Sequence, residues 1–371
     1  MKKTQASKLL AFSYGKINKM KIVLVAGGTG GHIYPAIALA EKLIEKGHDI
    51  SFIGSNNRME KDIIPSNGFK YTGLDVLSTS GGIKNKINSV LSMIKAYKEC
   101  LNLLNGQDMV IGFGNYISVP VILAAKKLKL KTVLHEQNSF VGKANKFLDK
   151  SVDLIIGSYE ENLKQFKNPN TFVLGNPQAS KAMSVKKDSK VIKGLGLNPK
   201  KKTVVIFMGS LGSATITQEM IKFFKLLDGS YQVVYATGKA YYKQVRDNIE
   251  DTDFLKIFER IDGINVMINS DLLVSRAGAT TLAEICAIGM PAILIPSPFV
   301  PNNHQYYNAL ALTSKDGAIM LEEKDFTALK LNECIKGIIN DDARLNMLHE
   351  NALKLSNRNV MEDIIEKLEN I

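Results

Sequence analysis

A glycine-rich stretch with a single histidine, VAGGTGGHIYPA at residues 25–36, carries the clearest chemical signature of the chain. A glycine turn between a strand and a helix lets backbone N–H groups approach an anion, and the helix dipole adds to the attraction. The stretch is not a P-loop, because Gly31 is followed by His32 and Ile33 instead of Lys and Ser or Thr. It also fails the dinucleotide motif G-x-G-x-x-G, whose third glycine would be Ile33. The remaining interpretation is a sugar-nucleotide or phosphosugar site, in which His32 could deprotonate an attacking hydroxyl.

A second candidate anion site lies in SRAGATTLAEICA, residues 275–287. Gly278, Ala279 and Thr280 fall at the predicted start of a helix, where backbone amides would hold a diphosphate. Glu284 shares a helix face with Thr280 through its i,i+4 spacing, and a carboxylate there can accept both hydroxyls of a ribose. The competing interpretation is an ordinary helix start with a surface glutamate.

Two further segments offer groups to a nucleotide sugar. MGSLGS at 208–213 is either another amide loop, with Ser210 available for phosphate oxygens, or a plain strand-to-helix turn. PFVPNNHQYYNAL at 298–310 places His304 and Gln305 after a proline-bounded loop. Their imidazole and amide groups suit sugar hydroxyls, and helix capping is the alternative.

The sequence predicts no metal and no cofactor. Residues 251–253 (DTD) match the metal-binding D-x-D pattern found in one class of glycosyltransferases, but they follow no buried strand and indicate a solvated loop. No other cluster of His, Asp or Glu has metal-ligand spacing. The cysteines are odd in number, far apart and outside any C-x-x-C pair, which suits a reducing cytoplasm: Cys100, Cys286 and Cys334.

The basic charge is confined to one part of the chain. Of a net charge of +12, all falls in residues 1–150, which hold 22 Lys and Arg against 10 Asp and Glu. This asymmetry predicts contact with an anionic surface such as membrane headgroups or phosphorylated lipid, the alternative being lysines that only aid solubility. No aromatic-interleaved basic motif or zinc finger is present, so we expect no nucleic-acid partner. No apolar run approaches the roughly 18–20 residues of a membrane-spanning helix.

One lysine-rich segment, residues 84–104, has near-helical apolar spacing. An amphipathic helix there could lie on an anionic bilayer and bring the protein to a lipid-linked substrate. The alternative is a helix whose apolar residues face the core: Ile87, Val90, Leu91, Ile94 and Leu101.

Short apolar strands alternate with helical patterns along the chain, which predicts an α/β fold of two Rossmann-like, doubly wound parallel-sheet domains facing a cleft. We expect domains at 20–176 and 177–345, and a helical segment at 346–371 that could pack on either of them. Residues 1–19 carry five lysines without a signal-peptide core, and Met20 could be the true start. The predicted first helix runs from Pro35 through Glu45, and the predicted strands are KIVLVA, HDISFIG, DMVIGFG, KTVLHEQ and VDLIIGS, then KTVVIFM, YQVVYATG, GINVMI, DLLVSRAG and PAILIPSP.

Several motifs in register resemble the MurG family, the bacterial UDP-N-acetylglucosamine:undecaprenyl-pyrophosphoryl-MurNAc-pentapeptide N-acetylglucosaminyltransferases: GGTGGHIYPAIALAEKL, GFGNY, HEQNS, GNP, MGSLGS, SRAGATTLAE and HQYYNA. The resemblance covers nearly all of residues 20–371. It implies a GT-B fold with an acceptor and membrane-facing domain at 20–176, a UDP-sugar domain at 177–345 and a terminal helix at 346–371 that packs back on the first domain. It further implies metal-independent, inverting transfer of GlcNAc from UDP-GlcNAc to the C4 hydroxyl of a lipid-linked MurNAc-pentapeptide. It also implies a peripheral location on the cytoplasmic face of the membrane.

The resemblance assigns roles to individual residues. The base that activates the acceptor hydroxyl would be His32, with Glu136 as the competing candidate. Acceptor contacts would come from Gly28, Gly112, Gly114 and Tyr116, and the whole loop from Gly28 to His32 would meet the acceptor's pyrophosphate and reacting hydroxyl. Donor contacts would come from Thr29, Gly30, Gly31, Asn138, Ser210, Ile261, Arg276, Gly278, Ala279, Thr280, Glu284, His304 and Gln305.

The chain departs from the family pattern at several positions. The usual GGSQGA is MGSLGS, so Met208 and Leu211 replace a glycine and a glutamine. The usual GGY is GNY, with Asn115 at the second glycine, and GNPVR becomes GNPQA, with Ala179 in place of a basic residue. A lost charge-assisted contact is worth about 1.5–3 kcal/mol. Two alternatives therefore stay open: a glycolipid glycosyltransferase with another acceptor, and a binding-only paralogue with a weakened donor site.

Overall fold

The computed structural model describes residues 19–77, 83–208 and 214–371, without the side chains of residues 83 and 84. The predicted leader lies almost wholly outside these ranges. Within them the chain forms two parallel sheets. The strands of the first are β1 Lys21–Val25, β2 Asp49–Ser55, β3 Lys70–Leu74, β4 Met109–Gly112, β5 Lys131–Glu136, β6 Leu154–Gly157 and β7 Thr171–Val173. Those of the second are β8 Thr203–Phe207, β9 Gln232–Ala236, β10 Leu255–Phe258, β11 Leu272–Ser275, β12 Ala292–Leu294 and β13 Ile319–Met320.

Helices cover the two faces of each sheet. They are α1 Gly30–Glu45, α2 Glu60–Ser66, α3 Ile83–Leu103, α4 Ser118–Lys127, α5 Lys143–Leu148, α6 Gln178–Ser184, α7 Lys190–Gly194, α8 Ala214–Phe224, α9 Tyr242–Arg246, α10 Gly263–Ile268, α11 Ala279–Ile288, α12 His304–Thr313, α13 Ala328–Ile339, α14 Asp342–Lys354 and α15 Val360–Glu369. None of the helices in the described ranges is long and apolar enough to cross a membrane.

The strand order places the glycine loops that follow β1 and β11 at the carboxyl ends of central strands. The first sheet runs β3-β2-β1-β4-β5-β6-β7 and the second β10-β9-β8-β11-β12-β13, with every pairing parallel. In each sheet the order reverses between two adjacent strands, β1 and β4 or β8 and β11. Ligands of open α/β sheets bind at such a point, outside the carboxyl ends of the strands. The predicted class, two Rossmann-like parallel-sheet domains, is confirmed.

The local predictions differ from the structure in several places. GINVMI, predicted as a strand, is helix α10, capped by the Asp262 carboxylate, which accepts the Asn265 N–H at 3.3 Å. A six-residue apolar run does not distinguish a strand from a helix, and the cap decides it here. The first helix begins five residues before Pro35, at Gly30. Four strands are absent from the prediction: β3, β7, β10 and β13. They are the outermost strands of the two sheets and have weak apolar patterns.

The last helix, α15, packs on the first sheet's domain although it follows the second in sequence. Its fully buried Ile364 and Leu368 share an apolar core with Ile22 and Ile37 of β1 and α1. Helix α14 instead contacts α11 and α13 of the second domain. Helix α6, which follows the first sheet, contacts both α1 and α11. Two segments therefore join the domains behind the cleft.

Helix α3 exposes apolar residues along one side. Ile87, Val90, Leu91 and Ile94 are 49–59% exposed, whereas Ala96 and Cys100 are buried in the first domain's core. The core-facing interpretation is therefore wrong for these four residues. It holds for Leu101, which packs on the first domain's core.

Candidate active site

The glycine loop connects β1 to α1 and leaves the amides of Gly30 and Gly31 free. Gly28 has φ +89°, which a residue with a side chain rarely adopts. Thr29 precedes the helix in extended conformation. Among the described residues, no acceptor pairs with the N–H groups of Gly30 and Gly31. The start of α1 therefore presents unpaired donors at the positive end of a helix dipole.

His32 lies on the first turn of α1, between the glycine loop and the loop after β4. Its Nδ1 is 3.0 Å from Thr29 Oγ1. A Cβ at Gly114 would be 3.5 Å from His32 Nε2, so this side of the ring faces the loop that contains Gly114 and Tyr116. Burial, together with the smaller effect of nearby His304, lowers the pKa of His32 to about 4. The imidazole is neutral near pH 7 and can accept a proton.

The start of α11 faces the start of α1 across the cleft. A Cβ at Gly31 would be 3.9 Å from Thr280 Oγ1. This hydroxyl is buried and has no hydrogen-bond partner among the described residues. Gly278 is the N-cap, and the amides of Ala279 and Thr280 follow it. The structure thus brings together two predicted anion sites from different domains.

Glu284 lies one turn along α11, where the sequence places it opposite a ribose. Burial raises the pKa of its carboxyl to about 7, and a hydrogen bond from Gln178 Nε2 at 2.9 Å opposes that rise. Gln178 is 6% exposed and begins α6. Sequence reasoning singled out only the next residue, Ala179, which packs into the first domain's apolar core.

Glu136, the competing base candidate, is buried at the end of β5 and fully hydrogen-bonded. Its Oε1 accepts from the N–H and Nδ2 of Asn138 at 3.0 and 3.2 Å, and its Oε2 from Gly142 N–H and Asn145 Nδ2, both at 2.9 Å. Burial raises the pKa of this carboxyl, and these hydrogen bonds lower it. Such a carboxylate organises its loop and presents no free oxygen to a substrate.

Asn308 connects the Asn138 loop to the second domain. The residue is completely buried, and its Nδ2 donates to Asn138 Oδ1 and to the Ala277 carbonyl, both at 3.2 Å. Its Oδ1 accepts from the N–H and Oγ of Ser139 at 2.9 and 3.0 Å. Sequence reasoning missed Asn308, although it stands four residues after His304 and so on the same face of α12.

His304 and Gln305 begin α12 and each holds the preceding loop with one side-chain atom. His304 Nδ1 is 2.8 Å from the Pro301 carbonyl, and Gln305 Oε1 accepts the Ser297 N–H at 2.9 Å. Burial lowers the pKa of His304. The other polar atoms, His304 Nε2 and Gln305 Nε2, have no hydrogen bond within the described ranges.

Two predicted ligand residues are engaged elsewhere. Arg276, expected at the diphosphate, is 8% exposed, pairs with Glu323 at 2.6 Å and donates to the Ile295 carbonyl at 3.1 Å. Gly112, expected in the acceptor loop, lies within β4, where a Cβ would be 3.2 Å from Leu134. In this structure the Arg276 side chain is paired within the second domain, and Gly112 is packed inside the first sheet.

The other predicted residues are distributed as follows. Tyr116 is half-buried and donates its N–H to Asn115 Oδ1 at 2.6 Å. The half-buried Ile261 precedes α10, and its N–H has no partner among the described residues. Ser210 and Leu211 lie outside those residues, whereas Met208 is buried in the second domain's core.

The DxD-like segment forms local contacts. Asp251 pairs with Arg246 at 2.5 Å and accepts the Ile257 N–H at 3.1 Å. Across residues 19–77, 83–208 and 214–371, no three His, Cys, Asp or Glu side chains are grouped as metal ligands would be.

Family models and relatives agree with this geometry. Residues 22–156 match the glycosyltransferase family 28 N-terminal domain, and residues 203–368 match the C-terminal domain of the same family. Two relatives are named UDP-N-acetylglucosamine--N-acetylmuramyl-(pentapeptide) pyrophosphoryl-undecaprenol N-acetylglucosamine transferase. The one from Halalkalibacterium halodurans is 38% identical over 91% of this chain and 95% of its own length. The one from a Thermoanaerobacter species is 36% identical over 95% of this chain and its whole length.

Solved structures show the same fold. The crystal structure of MurG from Acinetobacter baumannii superposes with a TM-score of 0.73 at 22% identity, covering 95% of this chain and all of that one. A UDP-N-acetylglucosamine 2-epimerase structure from Listeria monocytogenes gives 0.70 at 12% identity, covering 95% and 96%. On the family models and the curated relatives together, this chain belongs to glycosyltransferase family 28 and, within it, to the MurG family of N-acetylglucosaminyltransferases.

Proposed function

We propose that the protein transfers GlcNAc from UDP-GlcNAc to the C4 hydroxyl of undecaprenyl-pyrophosphoryl-MurNAc-pentapeptide, with inversion at the sugar's anomeric carbon. The observation that carries this proposal is the meeting of two helix starts from different domains, where a Cβ at Gly31 would be 3.9 Å from Thr280 Oγ1. A donor diphosphate and an acceptor diphosphate both need such amides. Family membership and the relatives' names support the same substrates.

The donor would bind mainly to the second domain. The amides of Ala279 and Thr280, with the unpaired Thr280 hydroxyl, would hold the diphosphate, and Glu284 would accept the ribose hydroxyls. The free Ile261 N–H would meet uracil. The free Nε2 atoms of His304 and Gln305 and the side chain of Asn138 would read the sugar hydroxyls.

The acceptor would bind to the first domain, between the glycine loop and the loop of Gly114 and Tyr116. We assign the base to His32 over Glu136, since all four hydrogen bonds of the Glu136 carboxylate are internal. With the His32 Nδ1–H donated to Thr29, the Nε2 lone pair would take the C4 hydroxyl proton. The hydroxyl oxygen would bond to the anomeric carbon as its bond to UDP breaks.

The surrounding charges would tune both steps. Two bound diphosphates favour the imidazolium form, so substrate binding would raise the pKa of His32 from about 4 toward neutral pH. The amides of α1 and α11 would stabilise the departing UDP, because fixed donors act on negative charge as it develops.

Transfer is tested by giving the purified protein UDP-GlcNAc and the lipid-linked MurNAc-pentapeptide and measuring UDP release and the glycolipid product. His32→Gln is expected to lose about 10²–10⁴ in kcat and to keep UDP-GlcNAc affinity. Absence of product, with unimpaired UDP-GlcNAc binding, would refute the acceptor assignment. Absence of donor binding would favour the alternative of a binding-only paralogue, whose donor site Leu211 and Ala179 weaken.

We further propose that the exposed side of α3 rests on an anionic bilayer. Ile87, Val90, Leu91 and Ile94 follow i, i+3, i+4, i+7 spacing and are about half exposed. Exposed lysines at 86, 95 and 98 flank them, and each cation near an anionic surface adds about 1 kcal/mol. This attachment would bring the acceptor side of the cleft to its lipid.

Vesicle sedimentation tests the attachment. Ile87→Ser combined with Leu91→Ser should reduce binding to vesicles that contain an anionic lipid, with no change in melting temperature because both residues are exposed. Leu329→Ser is the matched control, since Leu329 is 65% exposed on the other domain. Equal binding of the double variant and the control would contradict the proposal.

A further inference from the structure

The peptide group between Gly27 and Gly28 is held at both of its polar ends. The Gly27 carbonyl accepts from Asn115 Nδ2 at 3.0 Å, and the Gly28 N–H donates to Glu60 Oε2 at 3.0 Å. This peptide directly precedes the amides that face the cleft. Because glycines flank it on both sides, its own backbone would otherwise leave it free to rotate.

Glu60 approaches this peptide from inside the domain. The residue is completely buried at the start of α2, and its Oε1 accepts the N–H and Oγ–H of Ser55 at 3.2 and 2.5 Å. A Cβ at Gly27 would be 2.5 Å from Glu60 Oε1, and one at Gly54 would be 2.9 Å from Glu60 Cγ. Among the described residues, no Lys or Arg forms an ion pair with this carboxylate. Its bonding capacity therefore serves the backbone of β2 and the glycine loop.

Asn115 approaches the peptide from the acceptor loop. Its backbone is left-handed, with φ +69°, and its Oδ1 accepts the Tyr116 N–H. A Cβ at Gly28 would overlap the Asn115 amide, so Gly28 leaves room for this contact. The family pattern has glycine at this position, and glycine has no side chain to donate. The asparagine therefore adds a link between the two loops.

We propose that Asn115 and Glu60 are positioning residues that fix the Gly27–Gly28 peptide, so that the following amides point into the cleft before a substrate arrives. The inference deepens the proposed function, since it rests on the glycine loop binding the acceptor's diphosphate. We call the hydrogen bonds from Asn115 and to Glu60 the clamp of this peptide. Preorganised donors need no reorganisation when charge develops, so the clamp should affect kcat/KM for the lipid-linked acceptor. The donor binds mainly to the second domain, so the dissociation constant for UDP-GlcNAc should change little.

The test is Asn115→Gly, which restores the family residue and relieves the left-handed backbone. Lys129→Gly is the matched control, because Lys129 has φ +60° and is exposed after α4, away from the cleft. We expect kcat/KM for the lipid-linked acceptor to fall about tenfold in Asn115→Gly, the value of one hydrogen bond. In the control we expect no loss, and in both variants an unchanged dissociation constant for UDP-GlcNAc.

A second readout does not depend on the reaction. Hydrogen–deuterium exchange at residues 26–33 should be faster in Asn115→Gly than in Lys129→Gly. Glu60→Gln should produce the same change, since an amide cannot accept from all three donors. Unchanged exchange in Asn115→Gly would overturn the clamp whatever the activity. Faster exchange in a protein that transfers no GlcNAc would leave the clamp in place and refute the proposed function alone.

Discussion

The carboxyl of Glu284 should make UDP-GlcNAc binding depend on pH between 6 and 8. Its pKa is raised to about 7, chiefly by burial. The ionised carboxylate can accept a hydrogen bond from both ribose hydroxyls, whereas the protonated form has one oxygen that carries a proton and donates. Affinity should therefore approach its full value by about pH 8 and fall as the pH drops through 7.

The size of the effect follows from the pKa. If the protonated form does not bind, the apparent dissociation constant should be about tenfold larger at pH 6 than at pH 8. The donor's diphosphate, esterified at both ends, has no proton to lose in this range. His32 is neutral in the free protein, because its pKa is about 4, and repeating the titration in His32→Gln removes any proton uptake that a bound diphosphate causes at this residue. Calorimetric titration across this range measures the effect.

Two variants isolate the responsible group. Gln178→Leu removes the amide that stabilises the ionised carboxyl, so the midpoint should move to higher pH. Glu284→Gln should bind more weakly and show no pH dependence between 6 and 8. A flat profile for the unaltered protein, or full affinity in Glu284→Gln, would refute the reasoning.

Three further substitutions test the surrounding structure. Glu136→Gln should lower the unfolding free energy by about 1–3 kcal/mol in denaturant titration, because an amide cannot accept hydrogen bonds from the donors on both sides of this carboxylate. A large loss of kcat with unchanged stability would instead identify Glu136 as the base. Glu323→Ala leaves buried Arg276 without its ion-pair partner and should cost about 3–5 kcal/mol, and an unchanged melting temperature would contradict the importance of that pair. Ile364→Ala opens a cavity where α15 packs on the first domain and should cost about 2–5 kcal/mol, whereas exposed Leu329→Ala should cost little; equal effects would show that α15 adds no stability.

The sequence by itself determined the fold class and most of the candidate ligand groups. Alternating apolar runs and glycine turns report local preferences, and those preferences need no knowledge of distant contacts. The glycines before α1 and the Gly-Ala-Thr start of α11 could be predicted as candidate anion sites for the same reason. The helix α10, predicted as a strand, shows the limit of a short apolar run.

Only the tertiary structure decided which polar groups are free. Arg276 and Glu136 are charged residues of the kind that binds substrates, but both are paired within the protein. Arg276 forms an ion pair with Glu323, and Glu136 accepts hydrogen bonds from its own loop. Gln178, Asn308 and Glu60 carry no motif, and their roles arise because folding places them beside Glu284, Asn138 and Gly28. A buried polar group must be paired, and its partner is chosen by three-dimensional proximity, which residue type and spacing do not encode.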